Sequence, residues 1–64
     1  MKVKQITSLI DYPDDVQVTL YDYTKSDVVY IGLEENIPEY YLDEEILGIE
    51  LPSKNEIMLN IKTK

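Results

Sequence analysis

The sequence is 64 residues long and carries thirteen acidic residues against six basic ones, for a net charge of −7. A chain of this length buries only about 60% of the surface that its unfolded form exposes, so its core is thin. It contains neither cysteine nor histidine, which excludes disulfides and argues against a zinc or iron–sulfur site. We therefore expect one domain over residues 1–64 that gains stability by forming a homo-oligomer.

The composition also bears on location and on partners. No segment approaches the roughly 20 consecutive apolar residues that cross a bilayer, and polar residues interrupt the first ten positions, unlike a signal peptide. We expect a soluble, cytoplasmic protein without a membrane partner. All six basic residues are lysines. Arginine supplies the bidentate contacts to phosphate and guanine. Its absence, together with the negative net charge, argues against a protein that recognises bases in a DNA groove.

A first helix is predicted over residues 2–10, where apolar side chains recur at helical spacing. Pro13 and the aspartates on either side of it end this helix in a turn. The apolar positions of the helix are Val3, Ile6, Leu9 and Ile10.

A β-hairpin is predicted next. Residues 16–23 alternate between apolar and polar side chains, residues 28–31 are β-branched and aromatic, and residues 24–26 form the turn between them. Gly32 ends the hairpin. In the first strand we expect Val16, Val18 and Leu20 on the core face, and Gln17, Thr19, Tyr21 and Tyr23 on the opposite face.

A short central helix is predicted over residues 36–43. Asn36 is a favourable N-cap, and Pro38 is tolerated in a first turn because its missing N–H would have no partner there. The side chains expected to point inward are Ile37, Tyr41 and Leu42.

A second hairpin completes the chain, with strands over residues 44–51 and 56–62 and a turn at residues 52–55. The inward positions expected are Leu47, Ile49 and Leu51 in the third strand, although Ile46 makes its face ambiguous, and Ile57, Leu59 and Ile61 in the fourth. The order is therefore α-β-β-α-β-β. We expect an α+β fold in which two hairpins form a four-stranded antiparallel sheet.

A family resemblance is carried by residues 3–18, 29–32 and 37–46 and by the last strand, 56–61. Together these stretches form a pattern of apolar positions, a cap and turns. The pattern resembles small phage and prophage proteins of gut Firmicutes, and it covers nearly the whole chain.

The resemblance implies a setting inside a bacterial host. Small acidic proteins of that setting include counter-defence factors such as anti-CRISPR inhibitors of Cas9, and some of them resemble the PC4-like single-strand-binding fold. This chain departs from that fold because it has a helical N-terminus and lacks a basic, aromatic strand face. The departure argues against single-strand binding in that manner.

The lack of histidine and cysteine excludes the usual acyl-transfer triads. One cluster of carboxylates is nevertheless a candidate catalytic site. The cluster is Asp11, Asp14 and Asp15, in the turn before the first strand. Carboxylate oxygens bind Mg²⁺, and a bound metal can activate water for phosphodiester cleavage. Asp14 is the preferred metal ligand. The same aspartates are typical of an ordinary turn before a strand, which is the alternative interpretation.

Two other groups are candidate interaction residues. Asp43, Glu44 and Glu45 form an acidic run that can imitate a DNA backbone or dock on a basic groove, or simply be solvated. Tyr21 and Tyr23 share one strand face, which favours a subunit contact or a cross-strand pair on an exposed surface.

Two functions follow as hypotheses. The first is a phage-derived acidic accessory or counter-defence protein, without catalysis, that inhibits a host nucleic-acid enzyme such as Cas9. The alternative is a magnesium-dependent enzyme that nicks and so relaxes supercoiled DNA, using Asp14.

Overall fold

The computed structural model describes residues 1–10 and 15–63. Helix α1 spans Val3–Thr7, and the four strands are β1 (Gln17–Asp22), β2 (Asp27–Gly32), β3 (Ile46–Ser53) and β4 (Glu56–Ile61). The two predicted hairpins are confirmed, since β1 pairs with β2 and β3 pairs with β4, both antiparallel. The fold is a small α+β fold with one four-stranded sheet.

The prediction of a wholly antiparallel sheet is wrong. The strand order is β2-β1-β4-β3, and the two central strands, β1 and β4, run parallel. It follows that β2 and β3 point in the same direction, so residues 33–45 must cross one face of the sheet to connect them. That crossing carries Ile37 and Tyr41 onto the core, where both are buried. A tight turn would have left this face of the sheet uncovered.

The predicted central helix is instead two single 3₁₀ turns, Glu34–Asn36 and Glu39–Tyr41. Ile37 lies between them in an extended conformation, with φ −60° and ψ 127°. Because a proline clashes with a helical residue before it, Pro38 keeps Ile37 out of the α region and divides the segment. The inward positions were nevertheless correct for Ile37 and Tyr41, and Leu42 packs against the same core.

Helix α1 is shorter than predicted and is bonded to the crossing segment. Its first amide groups have no partner within the helix. Here the N–H of Val3 donates to the carbonyl of Glu44 and that of Lys4 to the carbonyl of Leu42, both at 3.0 Å. Residues beyond Thr7 continue only as a turn, and Leu9 is left 68% exposed.

The core lies between the sheet and this covering layer. Its buried apolar residues come mainly from the two central strands, where each partner pair of the parallel register shares a face. Leu20 lies beside Leu59 in that register, and both are fully buried. The buried apolar cluster consists of Val3, Val18, Leu20, Ile37, Tyr41, Leu59 and Ile61.

The inward set predicted for the third strand is wrong. Leu47, Ile49 and Leu51 are 57%, 49% and 72% exposed. The physical reason is position, because β3 is an edge strand and the covering layer sits over the central strands. Ile46 is the residue of β3 that packs against the core.

Candidate functional site

The outer edge of β3 is unpaired over most of its length. The only strand paired with β3 in the part of the chain the structure describes is β4. Its first residues are covered, because Lys2 forms an isolated bridge with Glu45 and the N–H of Ile46 donates to the carbonyl of Met1 at 2.8 Å. Beyond that point an edge strand presents alternate N–H and C=O groups outward.

An apolar row lies along this same strand. We call Leu47, Ile49 and Leu51 the β3 strip; all three are exposed. Ile49 is the register partner of Leu59, which is fully buried. Ile49 therefore continues the core face of the sheet outward, past the layer that covers the central strands. Leu47 and Leu51 lie on either side of it, in the two stretches where the register is irregular.

The charged side chains in the segment that contains the β3 strip are all acidic. Residues 44–51 contain three carboxylates, those of Glu44, Glu45 and Glu50, and no basic residue. Glu45 lies 3.2 Å from the N-terminal ammonium, whereas Glu50 accepts a 3.4 Å hydrogen bond from Asn60 and forms none of the ion pairs found among the described residues. Gly48 lies two residues before Glu50 on the same face of β3 and has no side chain, so nothing there covers Glu50.

The acidic run predicted as an interaction site lines an open cleft of about 650 Å³ next to β3. Asp43 forms a 2.8 Å ion pair with Lys4. That hydrogen-bonded ion pair holds the pKa of Asp43 below its ordinary value. The full lining is Lys25, Tyr40, Tyr41, Asp43, Glu44, Glu45, Lys62 and Thr63.

The lysines alter the interpretation of that run. Lys25 and Lys62 belong to the lining of the same cleft, and two of the three predicted carboxylates already have cationic partners. The cleft is therefore close to balanced in charge. Glu50 on β3 and Glu34, Glu35 and Glu39 on the 3₁₀ turns form none of the ion pairs found among the described residues.

The two tyrosines predicted as interaction residues contact each other. The ring centroids of Tyr21 and Tyr23 are 5.3 Å apart, with the planes at 82°, in an edge-to-face arrangement. Tyr21 is half-buried within β1, and Tyr23 is exposed just after the strand ends. They lie on the sheet face away from the core, as the alternation predicts.

The candidate metal cluster is described only at Asp15, which is exposed. Asp11 and Asp14 lie outside the described residues. Within residues 1–10 and 15–63, no three acidic side chains come together in a way that could hold a metal ion.

A buried carboxylate was missed by the sequence analysis. Asp22 ends β1 and is fully buried. Its side chain accepts hydrogen bonds from the N–H of Thr24 at 2.8 Å, from the N–H of Thr63 at 3.3 Å and from the Thr63 hydroxyl. The signal was present in the alternation, because Asp22 follows Val18 and Leu20 at the same two-residue interval.

Comparison with known proteins adds no relative: no family model, curated protein or solved structure matches this chain. A separate finding concerns membranes. None of the helices in the described ranges has the length and apolar character needed to cross a bilayer.

Proposed function

We propose that this protein is a small acidic binding protein that docks on a basic, nucleic-acid-contacting surface of a partner enzyme and inhibits it. The observation that carries the proposal is the β3 strip, an exposed apolar row on an unpaired strand edge. The resemblance to phage proteins makes a CRISPR nuclease such as Cas9 the first partner to test.

The β3 strip is unusual for an edge strand of a monomer. Natural edge strands are commonly protected by lysines, prolines, bulges or a covering segment, because an exposed apolar edge invites association. The register of β3 is irregular between Ile46 and Gly48 and between Glu50 and Ser53, and Pro52 lies in the second of these stretches. Its middle, from Leu47 to Leu51, has three exposed apolar side chains and no lysine. Such a surface is typical of a protein contact.

Charge supports the choice of partner. Surfaces that bind nucleic acid are rich in lysine and arginine, and a chain of net charge −7 is attracted to them over a Debye length of about 8 Å at physiological salt. Glu50 lies between Ile49 and Leu51 in the same strand, on the opposite face of the sheet, so the attraction and the apolar contact act at the same sheet edge. The complex would exclude nucleic acid from the surface that it covers.

The experiment is a cleavage assay with Cas9 and guide RNA, adding wild-type protein or either of two matched variants. Leu51→Glu puts a charge on the β3 strip. Leu9→Glu makes the same change at an equally exposed position beyond α1. We expect wild type and Leu9→Glu to inhibit cleavage alike, and Leu51→Glu to inhibit at least about tenfold more weakly, a change of about 1.4 kcal/mol in binding.

Two results would contradict this proposal. Equal inhibition by both variants would move the binding surface away from the β3 strip. If wild-type protein leaves cleavage unchanged and captures no nucleic-acid enzyme from a host lysate, the inhibitory function itself is wrong.

The nicking alternative stays a prediction from sequence. Of its three carboxylates, only Asp15 lies in a described range, and it is exposed there. The nicking activity is tested by incubating the protein with supercoiled plasmid in magnesium or in EDTA. Wild type and Asp14→Ala are compared under both conditions. Magnesium-dependent open circles that the variant fails to form would establish the activity.

A further inference from the structure

We propose that the β3 edge takes up an extended, lysine- or arginine-rich segment of the partner as an additional strand of the sheet, next to β3. The inference rests on the proposed function, because it names how the same surface holds its partner. It specifies the occupant, a strand in which basic and apolar residues alternate.

The backbone of β3 has hydrogen-bonding groups on its outer edge that an added strand can use. An edge strand has a row of N–H and C=O groups that point away from its partner, and an added strand satisfies them. On β3 the chain itself supplies this partner only at the start, through Met1 and Lys2. From Leu47 to Leu51 the outward edge is unoccupied in the described structure, and beyond it Pro52 has no N–H to donate to an added strand.

The side chains of β3 alternate between the two faces of the sheet. Leu47, Ile49 and Leu51 lie at alternate positions, and Gly48 and Glu50 lie between them. An added strand places its residues beside those of β3 on each face. One set of its side chains would therefore be apolar and pack on the β3 strip. The other set would extend across Gly48 towards Glu50.

Charge complementarity selects the occupant. Residues 44–51 have carboxylates and no basic residue, so a lysine or arginine on the added strand gains a charge-assisted contact with Glu50. A second copy of this chain would bring another net charge of −7 to the same edge. Opposite charges across neighbouring strands stabilise a sheet and like charges destabilise it. The basic strand is accordingly favoured over self-pairing.

The test uses an acetylated and amidated seven-residue peptide in which lysine alternates with valine. Binding is followed by two-dimensional NMR and by amide hydrogen exchange of the full chain. We expect exchange of the outward-pointing amides within residues 47–51 to slow at least about tenfold at saturating peptide, while the amides of β2, the other edge strand, keep their rates.

Two control peptides and two variants separate the contributions. A peptide with N-methyl groups on alternate residues keeps charge and side chains but loses backbone donors, and we expect it to bind at least about tenfold more weakly. A glutamate–valine peptide should not bind. Glu50→Gln should weaken binding severalfold and reduce its salt dependence, whereas Glu35→Gln, on an exposed 3₁₀ turn, should leave both unchanged.

Several results would overturn the inference. One is full-strength binding of the N-methylated peptide, and another is protection confined to β2. A third is protection of β3 that needs no peptide and grows with protein concentration, which would make a second copy the occupant.

The two proposals fail in different ways. If the protein inhibits a nucleic-acid enzyme but β3 amides in that complex exchange as in the free chain, the added strand is wrong and the proposed function stands. If the peptide pairs with β3 and no such enzyme binds, strand addition is supported and the proposed function is wrong.

Discussion

Asp22 shows how much a single residue can depend on its neighbours. A carboxylate at a fully buried position is costly unless hydrogen bonds satisfy it. Here two backbone N–H groups and one hydroxyl do so, and they join the end of β1 to the following turn and to the C-terminal segment at Thr63. The hydrogen bond from the Thr63 hydroxyl is the main reason that the pKa of Asp22 lies below its ordinary value.

The lowered pKa predicts how stability changes with pH. A carboxyl group whose folded pKa lies below its unfolded pKa, about 3.9, stabilises the fold above that value. The stabilisation is lost as the pH falls through the folded pKa. We expect Asp22→Asn to have a lower urea midpoint than wild type at pH 6, and the difference between the two midpoints to shrink as the pH falls from 6 towards 3.

The matched control for Asp22 is Glu35→Gln, which neutralises an exposed carboxylate on a 3₁₀ turn. Its urea midpoint should stay close to that of wild type at both pH values. If the difference between Asp22→Asn and wild type is the same at pH 6 and pH 3, the charge of Asp22 is not its cause.

Gly32 is the second residue with a specific structural requirement. Its φ is +157°, and a Cβ there would lie 2.6 Å from the Tyr30 hydroxyl oxygen. That hydroxyl donates to the carbonyl of Leu33, so it cannot move away without losing a hydrogen bond. Gly32→Ala should cost about 1–3 kcal/mol in the free energy of unfolding.

Two variants check the cause of that cost in denaturant titrations. Gly48→Ala should cost less, because its Cβ would meet only the Asn60 amide nitrogen, at an ordinary 3.6 Å. Adding Tyr30→Phe to Gly32→Ala should restore part of the loss by removing the crowding oxygen. If the two glycine variants are equally stable, neither the backbone conformation nor the crowding at Gly32 matters.

At the scale of the element, β1 and β3 illustrate opposite outcomes of a similar pattern. Both strands show alternating apolar residues. In β1 the alternation predicts the core face correctly, because a central strand is covered by the crossing segment. In β3 the same kind of alternation predicts a core face that is in fact the exposed β3 strip. Periodicity identifies which residues share a face, whereas coverage of that face depends on the rest of the fold.

This contrast predicts different costs for two leucine substitutions. Leu20 is fully buried in β1, and Leu20→Ala should cost about 2–5 kcal/mol through lost burial and a residual cavity. Leu51 is 72% exposed in β3, and Leu51→Ala should stay within about 0.5 kcal/mol of wild type. Urea unfolding followed by circular dichroism measures both. Equal costs would mean that β3 is covered, for example by another subunit.

At the scale of the whole molecule, the net charge of −7 opposes compactness. Thirteen acidic residues share a chain of 64 residues, so their mutual repulsion destabilises the folded state. Salt screens this repulsion. We expect the melting temperature to rise as sodium chloride increases from low to physiological concentration. A melting temperature that falls over this range would indicate that attractive ion pairs, such as Lys4–Asp43, outweigh the repulsion.

Oligomerisation also belongs to this scale and stays a prediction. A thin core and the Tyr21–Tyr23 pair on the outer sheet face favour self-association. Sedimentation equilibrium of wild type beside Tyr23→Ser tests it. A homo-oligomer that dissociates in the variant would place the subunit contact on that face, away from the β3 strip.

The sequence by itself determined the elements of this protein that depend on local physical chemistry. The two hairpins, the alternation of β1 and β4, and the inward positions of Ile37 and Tyr41 all follow from side-chain periodicity and turn residues close together along the chain. The same local information excluded disulfides. Pro38 also explains why two 3₁₀ turns form in place of one helix, because it keeps Ile37 out of the α region.

Only the tertiary structure decided how the two hairpins join into one sheet. The parallel pairing of β1 with β4, the exposure of the β3 strip, the pairing of Lys4 with Asp43 and the hydrogen bonds of Asp22 to Thr63 join residues far apart in sequence. No local pattern specifies such contacts, because they depend on which arrangement buries the most apolar surface of the whole chain while satisfying its polar groups. The candidate binding surface exists because that arrangement leaves β3 at the edge.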